Sequence, residues 1–238
     1  MGRTTYRMIF AFLTVFTLLE MGLRHASAGN IAVNIRSNGF MNGADYNIGW
    51  EFSTNSSIMV TELGWFDRIG VTSDPGFASA HTIAIFSSNG DVLVSASVSP
   101  GTVNPIAGLP VISSNTDEIR GYFRYVEVTP TVLTAGQSYI ISGTNPLEFP
   151  DPFAVGFSVD DDMTVDSDIN FVQGRMSSLG TGSSLVFPTE EMPVDEWNGR
   201  NFGPNFQFVP VPASLPEPSS VLLLALGGGL CLWRRQRN

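Results

Sequence analysis

The sequence predicts an all-β fold: an antiparallel β-sandwich of jelly-roll-like type, framed by an N-terminal signal helix and a short C-terminal transmembrane helix. Three observations carry the prediction for the domain. Runs of period-two alternation recur along it, as in Ile48-Gly49-Trp50-Glu51-Phe52, and two is the period of a strand with one covered face. Clusters of glycine, proline and asparagine separate the runs. Between residues 29 and 214 no apolar pattern of helical period lasts three turns. Many short strands of this kind must bury their apolar faces against one another, and two packed sheets do so.

In chain order, Ile31-Ala32-Val33-Asn34-Ile35 alternates and reads as a first strand, followed by a turn around Asn38, Gly39, Asn42 and Gly43. Ile48, Trp50 and Phe52 then share one face opposite Gly49, Glu51 and Ser53. Residues 58–66 form the next strand, and their mixed faces predict partial cover on both sides. Residues 67–80 read as a loop, with Gly70 and Asp74-Pro75-Gly76. Residues 81–86 and 92–98 form a hairpin about Asn89-Gly90, a dipeptide that tolerates positive φ. In its second arm Val92, Val94, Ala96 and Val98 face the core, against Ser95, Ser97 and Ser99. Residues 100–116 read as a loop, interrupted by Pro100, Pro105 and Pro110. Residues 122–128 resume the sheet until Pro130 ends it, and Thr134-Ala135-Gly136-Gln137 turns into 138–142, with Tyr139 and Ile141 inward. Phe153, Val155, Phe157 and Val159 share a further face, and residues 160–168 form an acidic loop. Residues 169–172, 184–187 and 205–209 are the last predicted strands, with Phe206 and Phe208 pointing the same way. Val209-Pro210-Val211-Pro212-Ala213 reads as a stiff spacer, so the domain spans 29–208 and a Pro-rich linker 209–214.

The two ends carry address signals. Arg3 and Arg7 precede an apolar run over residues 8–19, and Ala26 and Ala28 supply the small residues that signal peptidase accepts. Residues 1–28 are therefore predicted to be a signal peptide, with Gly29 the first mature residue. At the other end Pro216-Glu217-Pro218 leads into the apolar run 221–233, which meets Arg234, Arg235 and Arg237. As a helix those thirteen residues would span roughly 20 Å, short of a hydrocarbon core about 30 Å thick. The arginines would hold its end on the cytoplasmic side. Pro216 and Pro218 would keep the preceding strip extended at the outer face, open to a processing enzyme. An anchor that is never cut is the alternative.

This tripartite order, over residues 215–238, resembles the PEP-CTERM sorting signal of proteins exported by Gram-negative bacteria. The resemblance implies an exosortase-like membrane enzyme as partner and an inner-membrane intermediate, with final placement at the cell surface or in an extracellular matrix of polysaccharide or biofilm. A second likeness lies in Gly49-Trp50-Glu51-Phe52, Leu63-Gly64-Trp65-Phe66-Asp67, residues 81–86 with Asn89-Gly90, Phe123-Arg124-Tyr125-Val126, residues 133–139 and residues 202–208. Together they look like a β-sandwich domain of unknown function that often precedes such signals. That likeness implies a fold and an exported setting, and no activity.

Composition narrows the function classes. Residues 29–214 hold six arginines, no lysine and twenty carboxylates, a net charge of −14 against −10 for the whole chain. Such a surface repels nucleic acid and anionic lipid headgroups. The single cysteine, Cys231, lies in the C-terminal apolar run, so the domain has no disulfide and relies on its core. With one histidine, His81, and no cysteine, the domain cannot build a histidine or cysteine metal cluster. No Gly-x-Ser-x-Gly elbow accompanies His81, whose expected role is a hydrogen bond from a strand end to a loop. Glu51, Glu62 and Asp67 lie near Trp50, Trp65 and Phe66, residue types that a glycoside-acting enzyme would use, although strand aromatics commonly fill the core. Asp160, Asp161, Asp162, Asp166 and Asp168 could offer oxygens to a structural calcium, but the spacing departs from the EF-hand loop, and a solvated acidic loop is the plainer account. Trp197, in a polar stretch, is the aromatic best placed to stack on a glycan. The expected function is noncatalytic, in a surface or matrix protein. A carbohydrate-binding module with a defined ligand is the alternative, and a glycoside-acting enzyme comes third.

Overall fold

The structure is a computed structural model and describes residues 29–37, 39–41, 45–69, 76–113, 118–148, 151–155, 163–192 and 201–211. Within them the chain is all β. It opens with β1 (Asn30–Ile31), β2 (Val33–Ser37) and β3 (Gly39–Met41), followed by the long strands β4 (Tyr46–Thr54) and β5 (Ile58–Arg68). The hairpin β6 (His81–Ser87) and β7 (Val92–Val98) precedes β8 (Ile106–Ser113), β9 (Ile119–Leu133) and β10 (Ser138–Asn145). Then come β11 (Phe153–Val155), β12 (Met163–Val165), β13 (Ile169–Met176), β14 (Glu190–Glu191), β15 (Asn201–Phe202) and β16 (Pro204–Pro210).

A seven-stranded sheet runs β1-β16-β5-β9-β8-β2-β12 and a six-stranded sheet β14-β13-β4-β10-β6-β7. The pairs are antiparallel apart from β2 with β8. A small third sheet runs β15-β11-β3. β1 lies at one edge of the seven-stranded sheet and β2 beside the last strand of the other edge, yet only Ala32 separates them. The sheet must therefore curl until it nearly closes. Ala32 sits at the seam: its N–H donates to Phe206 O at 3.0 Å, and its carbonyl accepts from Asp166 N at 3.0 Å. Asn205 Nδ2 donates to Val33 O at 2.7 Å and ties β16 to the same strand.

The core fills the space between this curled sheet and the six-stranded one. Ile48, Trp50 and Phe52 of β4 meet Leu63 and Trp65 of β5 and Phe206 and Phe208 of β16, all fully buried. Trp50 stacks on Phe206 with centroids 5.8 Å apart, and its Nε1–H donates to Pro204 O at 2.9 Å. The indole thus gains burial worth about 2–3 kcal/mol without leaving its one donor unpaired. Alternation was a sound guide here, because Ile48, Trp50 and Phe52, like Phe206 and Phe208, fall on the core face of their strands. Trp65 and Phe66 are both buried on β5, as the mixed faces of that strand required.

Several readings of the sequence are corrected, among them the turn around Gly39, which contains β3. The 100–116 loop contains β8, whose ladder with β9 breaks between Ala107 and Val111; the residues looped out there include Gly108, at φ +84°, and Pro110. A bulge lets a strand carry a residue that cannot donate. For the same reason Pro130 does not end β9: it lies in a stretch where Glu62 pairs Glu127 and Val60 pairs Thr131, so the residues between are out of register. The acidic 160–168 segment contains β12, which pairs with β2. Residues 184–187 are not a strand; they belong to a loop that Asn47 holds. In addition Val209 and Pro210 belong to β16, paired with Met59 and Ile58, so the sheet runs past Phe208 into the stretch read as a spacer. Val92 is half exposed despite the alternation, because the β6–β7 register shifts between Ile85 and Phe86.

Both ends of the described chain leave from one pole. Asn30 pairs with Phe208, Pro210 pairs with Ile58, and Val211 N donates to Ser57 O at 3.0 Å. The turn after β9 lies at the same pole, with Ala135 N donating to Ser57 Oγ at 3.2 Å.

Candidate functional site

Among the described residues, a polar cleft lies on the outer face of the six-stranded sheet. In the β4 ladder Glu51 stands between Ile140 of β10 and Gln173 of β13. A bulge between Phe171 and Gln173 shifts the register, so that Gln173 and Arg175 both come to Glu51. Glu51 Oε2 accepts from Arg175 Nε at 2.9 Å, from Arg175 Nη2, and from Gln173 Nε2 at 3.1 Å. Gln173 Nε2 also donates to Glu191 Oε1 at 3.1 Å. The Glu51–Arg175 pair is mostly buried, with 17% of each side chain exposed, so its desolvation is partial and its geometry well held.

The far wall is the loop that follows β13. Buried Asn47 fixes its course: Nδ2 donates to Thr181 O and Ser184 O, both at 2.8 Å, while Oδ1 accepts from Val186 N at 3.2 Å. Asp45 O accepts from Gly180 N and Thr181 N. Phe187 then lies edge-on to Phe86 with centroids 5.5 Å apart. Between this loop, β10 and the β6–β7 turn a volume of about 200 Å³ remains, reached by Ser88, Ser138, Phe187 and Thr189 beside Glu51 and Arg175. Among the described residues the hydroxyls of Ser88, Ser138 and Thr189 have no hydrogen-bond partner, and Glu51 Oε1 has none. The cleft therefore offers solvent-facing acceptors and donors beside an apolar floor that includes Ile140.

The His81 and Arg124 clusters are sealed, and the Glu62–Glu127 pair lies at the surface. His81 is fully buried, stacked on Trp65 at 4.3 Å and 7°, with Phe77 edge-on at 5.2 Å. Its Nδ1 is 2.8 Å from Thr144 O and its Nε2 2.9 Å from Asp151 Oδ2. The Thr144 carbonyl only accepts, so Nδ1 donates, and one further proton joins Nε2 to the Asp151 carboxyl. The same carboxylate accepts from Ala78 N at 2.9 Å and Ser79 N at 3.1 Å. Arg124 Nε donates to Asp67 Oδ2 at 2.5 Å, and both side chains are buried. Glu62 faces Glu127 across β5 and β9 and accepts from Gln207 Nε2 at 2.9 Å. Burial, then the neighbouring Glu127 charge, raises the Glu62 carboxyl above its ordinary value. Burial, then the Glu62 charge, pushes the Tyr125 phenol well above its own.

Of the residues singled out by sequence, the structure uses Trp50, Trp65 and Phe66 as core. It separates the carboxylates near them, with Glu51 in the cleft, Asp67 paired to Arg124 and Glu62 beside Glu127. Asp166 and Asp168 shape a turn: Asp166 Oδ1 accepts from Asp168 N at 2.9 Å, and Asp168 Oδ1 accepts from Ser56 Oγ at 2.8 Å. Asp160, Asp161, Asp162 and Trp197 lie outside the described residues, as do Ala26, Ala28, Pro216, Glu217, Pro218, Arg234, Arg235 and Arg237. Among the described residues no three histidine, cysteine or acidic side chains converge as metal ligands. Sequence reasoning missed Arg175 and Phe187. The bulge that aims Arg175 and the loop that places Phe187 leave no periodic signal. No family model matches the chain, and no curated protein matches it.

Proposed function

We infer that this chain is an exported, noncatalytic component of a bacterial cell surface or extracellular matrix, delivered by a PEP-CTERM-type route and associated with extracellular polysaccharide. The observation that carries this is the order Pro216-Glu217-Pro218, apolar run 221–233, then Arg234, Arg235 and Arg237. The fold is compatible with that route, since Gly29 and Val211 leave the same pole and a domain held at either end would present one face to the membrane. The jelly-roll assignment is supported by connectivity: β4, β6 and β10 lie in one main sheet while β5 and β9 lie in the other, so the chain crosses repeatedly between layers. No catalytic step is assigned, and the one imidazole of residues 29–214 is enclosed by Trp65, Phe77 and Asp151.

Intact mass of the protein from its native host, measured separately in medium and membrane fractions, tests this function. The expected species lacks residues 1–28 and the residues after about 218 and is found in the medium or matrix. A membrane-bound species that retains residues 221–238 would overturn processing and leave an anchored surface domain.

A further inference from the structure

We propose that the Glu51–Arg175 cleft binds a neutral saccharide, one pyranose unit of a glycan chain. The cleft is built, in that β13 and the loop that follows it are both pinned to β4, far away in sequence: the bulged β13 supplies Arg175, and the Asn47-held loop supplies Phe187 and Thr189. Its chemistry selects the ligand by charge. Arg175 spends Nε and Nη2 on Glu51, and Nη1 lies 3.8 Å from Glu191 Oε1, so a bound anion would face two carboxylates and one guanidinium already neutralised. For a metal cation, no three histidine, cysteine or acidic side chains converge here among the described residues. A neutral polyol needs neither a spare charge nor a ligand cluster.

Vicinal hydroxyls both donate and accept, and the cleft presents both functions side by side. Glu51 Oε1 is an unpartnered acceptor, the hydroxyls of Ser88, Ser138 and Thr189 serve either way, and Arg175 Nη1 is a donor. A carboxylate and a guanidinium fixed to each other keep their geometry before a ligand arrives, which reduces the ordering cost of binding. The half-buried ring of Phe187 offers an apolar surface for the C–H face of a sugar, and the volume of about 200 Å³ admits one ring rather than an extended oligomer. The site is distinct from Trp197, and binding there does not depend on how the chain is exported.

Saturation-transfer NMR of the full-length protein, held in a polyoxyethylene detergent that carries no sugar headgroup, tests the assignment. The probes are glucose, galactose, mannose and N-acetylglucosamine, with glucuronate and calcium as charged comparisons. At least one neutral hexose is expected to receive saturation, at millimolar affinity, with glucuronate at least fivefold weaker. Glu51→Gln should weaken the bound hexose about tenfold. Because that variant also disturbs the ion pair, Thr189→Trp is the second arm: it fills the cleft from an exposed position and should abolish transfer while the melting temperature stays within about 2 °C of the parent. Absence of transfer to all four hexoses overturns the proposal. So does binding that survives Thr189→Trp, or a preference for glucuronate or calcium.

Discussion

Asp151→Asn is expected to loosen the pole opposite the chain ends, and the size of the loss follows from the bonds of this one carboxylate. Asp151 accepts from Ala78 N and Ser79 N and shares a hydrogen bond with His81 Nε2, whose ring is held on its other side by Thr144 O. Asparagine keeps the shape but has one acceptor oxygen. With its oxygen in the Oδ2 position it can still accept from Ala78 N, Ser79 N and His81 Nε2, but as a neutral amide oxygen shared among three donors, and its NH2 then points at Ala78 N. Removing one partner of a buried pair costs about 3–5 kcal/mol, and since part of the hydrogen bonding survives we expect about 3 kcal/mol. In a domain of this size that corresponds to a fall of roughly 6–12 °C in Tm. The assay is urea and thermal unfolding of the full-length protein in nonionic detergent, read by tryptophan fluorescence, because Trp65 lies 4.3 Å from the His81 ring. His81→Gln and the double variant complete a cycle whose coupling should reach at least about 1.5 kcal/mol. Single losses below about 1 kcal/mol, or additivity within about 0.5 kcal/mol, would refute a coupled pair at this site.

Glu62→Gln should stabilise the protein by roughly 0.2–1 kcal/mol near neutral pH, because it removes a like charge directly across the ladder from Glu127. The sign follows from the raised carboxyl: the folded state takes up this proton more readily than the unfolded one, so the penalty exists above the raised pKa and is relieved as pH falls into the ordinary carboxylate range. Urea midpoints of parent and variant should therefore converge on acidification, and a gain that grows instead would contradict the assignment. Tyr125→Phe should be neutral or stabilising by up to about 1 kcal/mol, since the buried phenol oxygen has no hydrogen-bond partner. A loss above about 1 kcal/mol in thermal unfolding would show that the hydroxyl is satisfied after all. Gly203→Ala should destabilise by about 1–3 kcal/mol, because a Cβ there would stand 2.6 Å from the Trp65 ring. A Tm unchanged by that substitution would mean that Trp65 has room to move.

Alternation exposed the core where a strand has one covered face. Ile48, Trp50 and Phe52, then Phe206 and Phe208, were legible for that reason, and Asn89-Gly90 marked its hairpin because Gly90 indeed takes φ +91°. Proline misled twice. Pro110 and Pro130 look like strand ends, but each lies where a long ladder slips register, and a missing N–H does no harm at a bulge. Partner choice was not legible at all. The closure through Ala32 depends on β1 and β2 joining opposite edges of one sheet, and no local pattern encodes which neighbour a two-residue strand will find. The cleft was half legible. Glu51 was marked by its aromatic neighbours, whereas its real partner, Arg175, is 124 residues away in sequence and is aimed by a bulge that composition does not announce.

The position of the cleft bears on how a surface domain of this charge could work beside a membrane. Ser88 lies in the turn after β6, and Ser138 pairs with Ser53 near the end of β4, so the cleft opens toward the pole from which residues 29 and 211 depart. Ten residues, 211–220, separate that pole from the apolar run, and fully extended they reach at most about 36 Å. On the proposed export route, while the apolar run is membrane-held, a glycan in the cleft would thus sit within a few tens of ångströms of the bilayer. With a net charge of −14 over residues 29–214, the domain would be repelled there by anionic headgroups, which would keep the cleft from being pressed against lipid. The same charge would repel an acidic polysaccharide, which is why a neutral saccharide is the ligand that both the cleft and the whole surface admit.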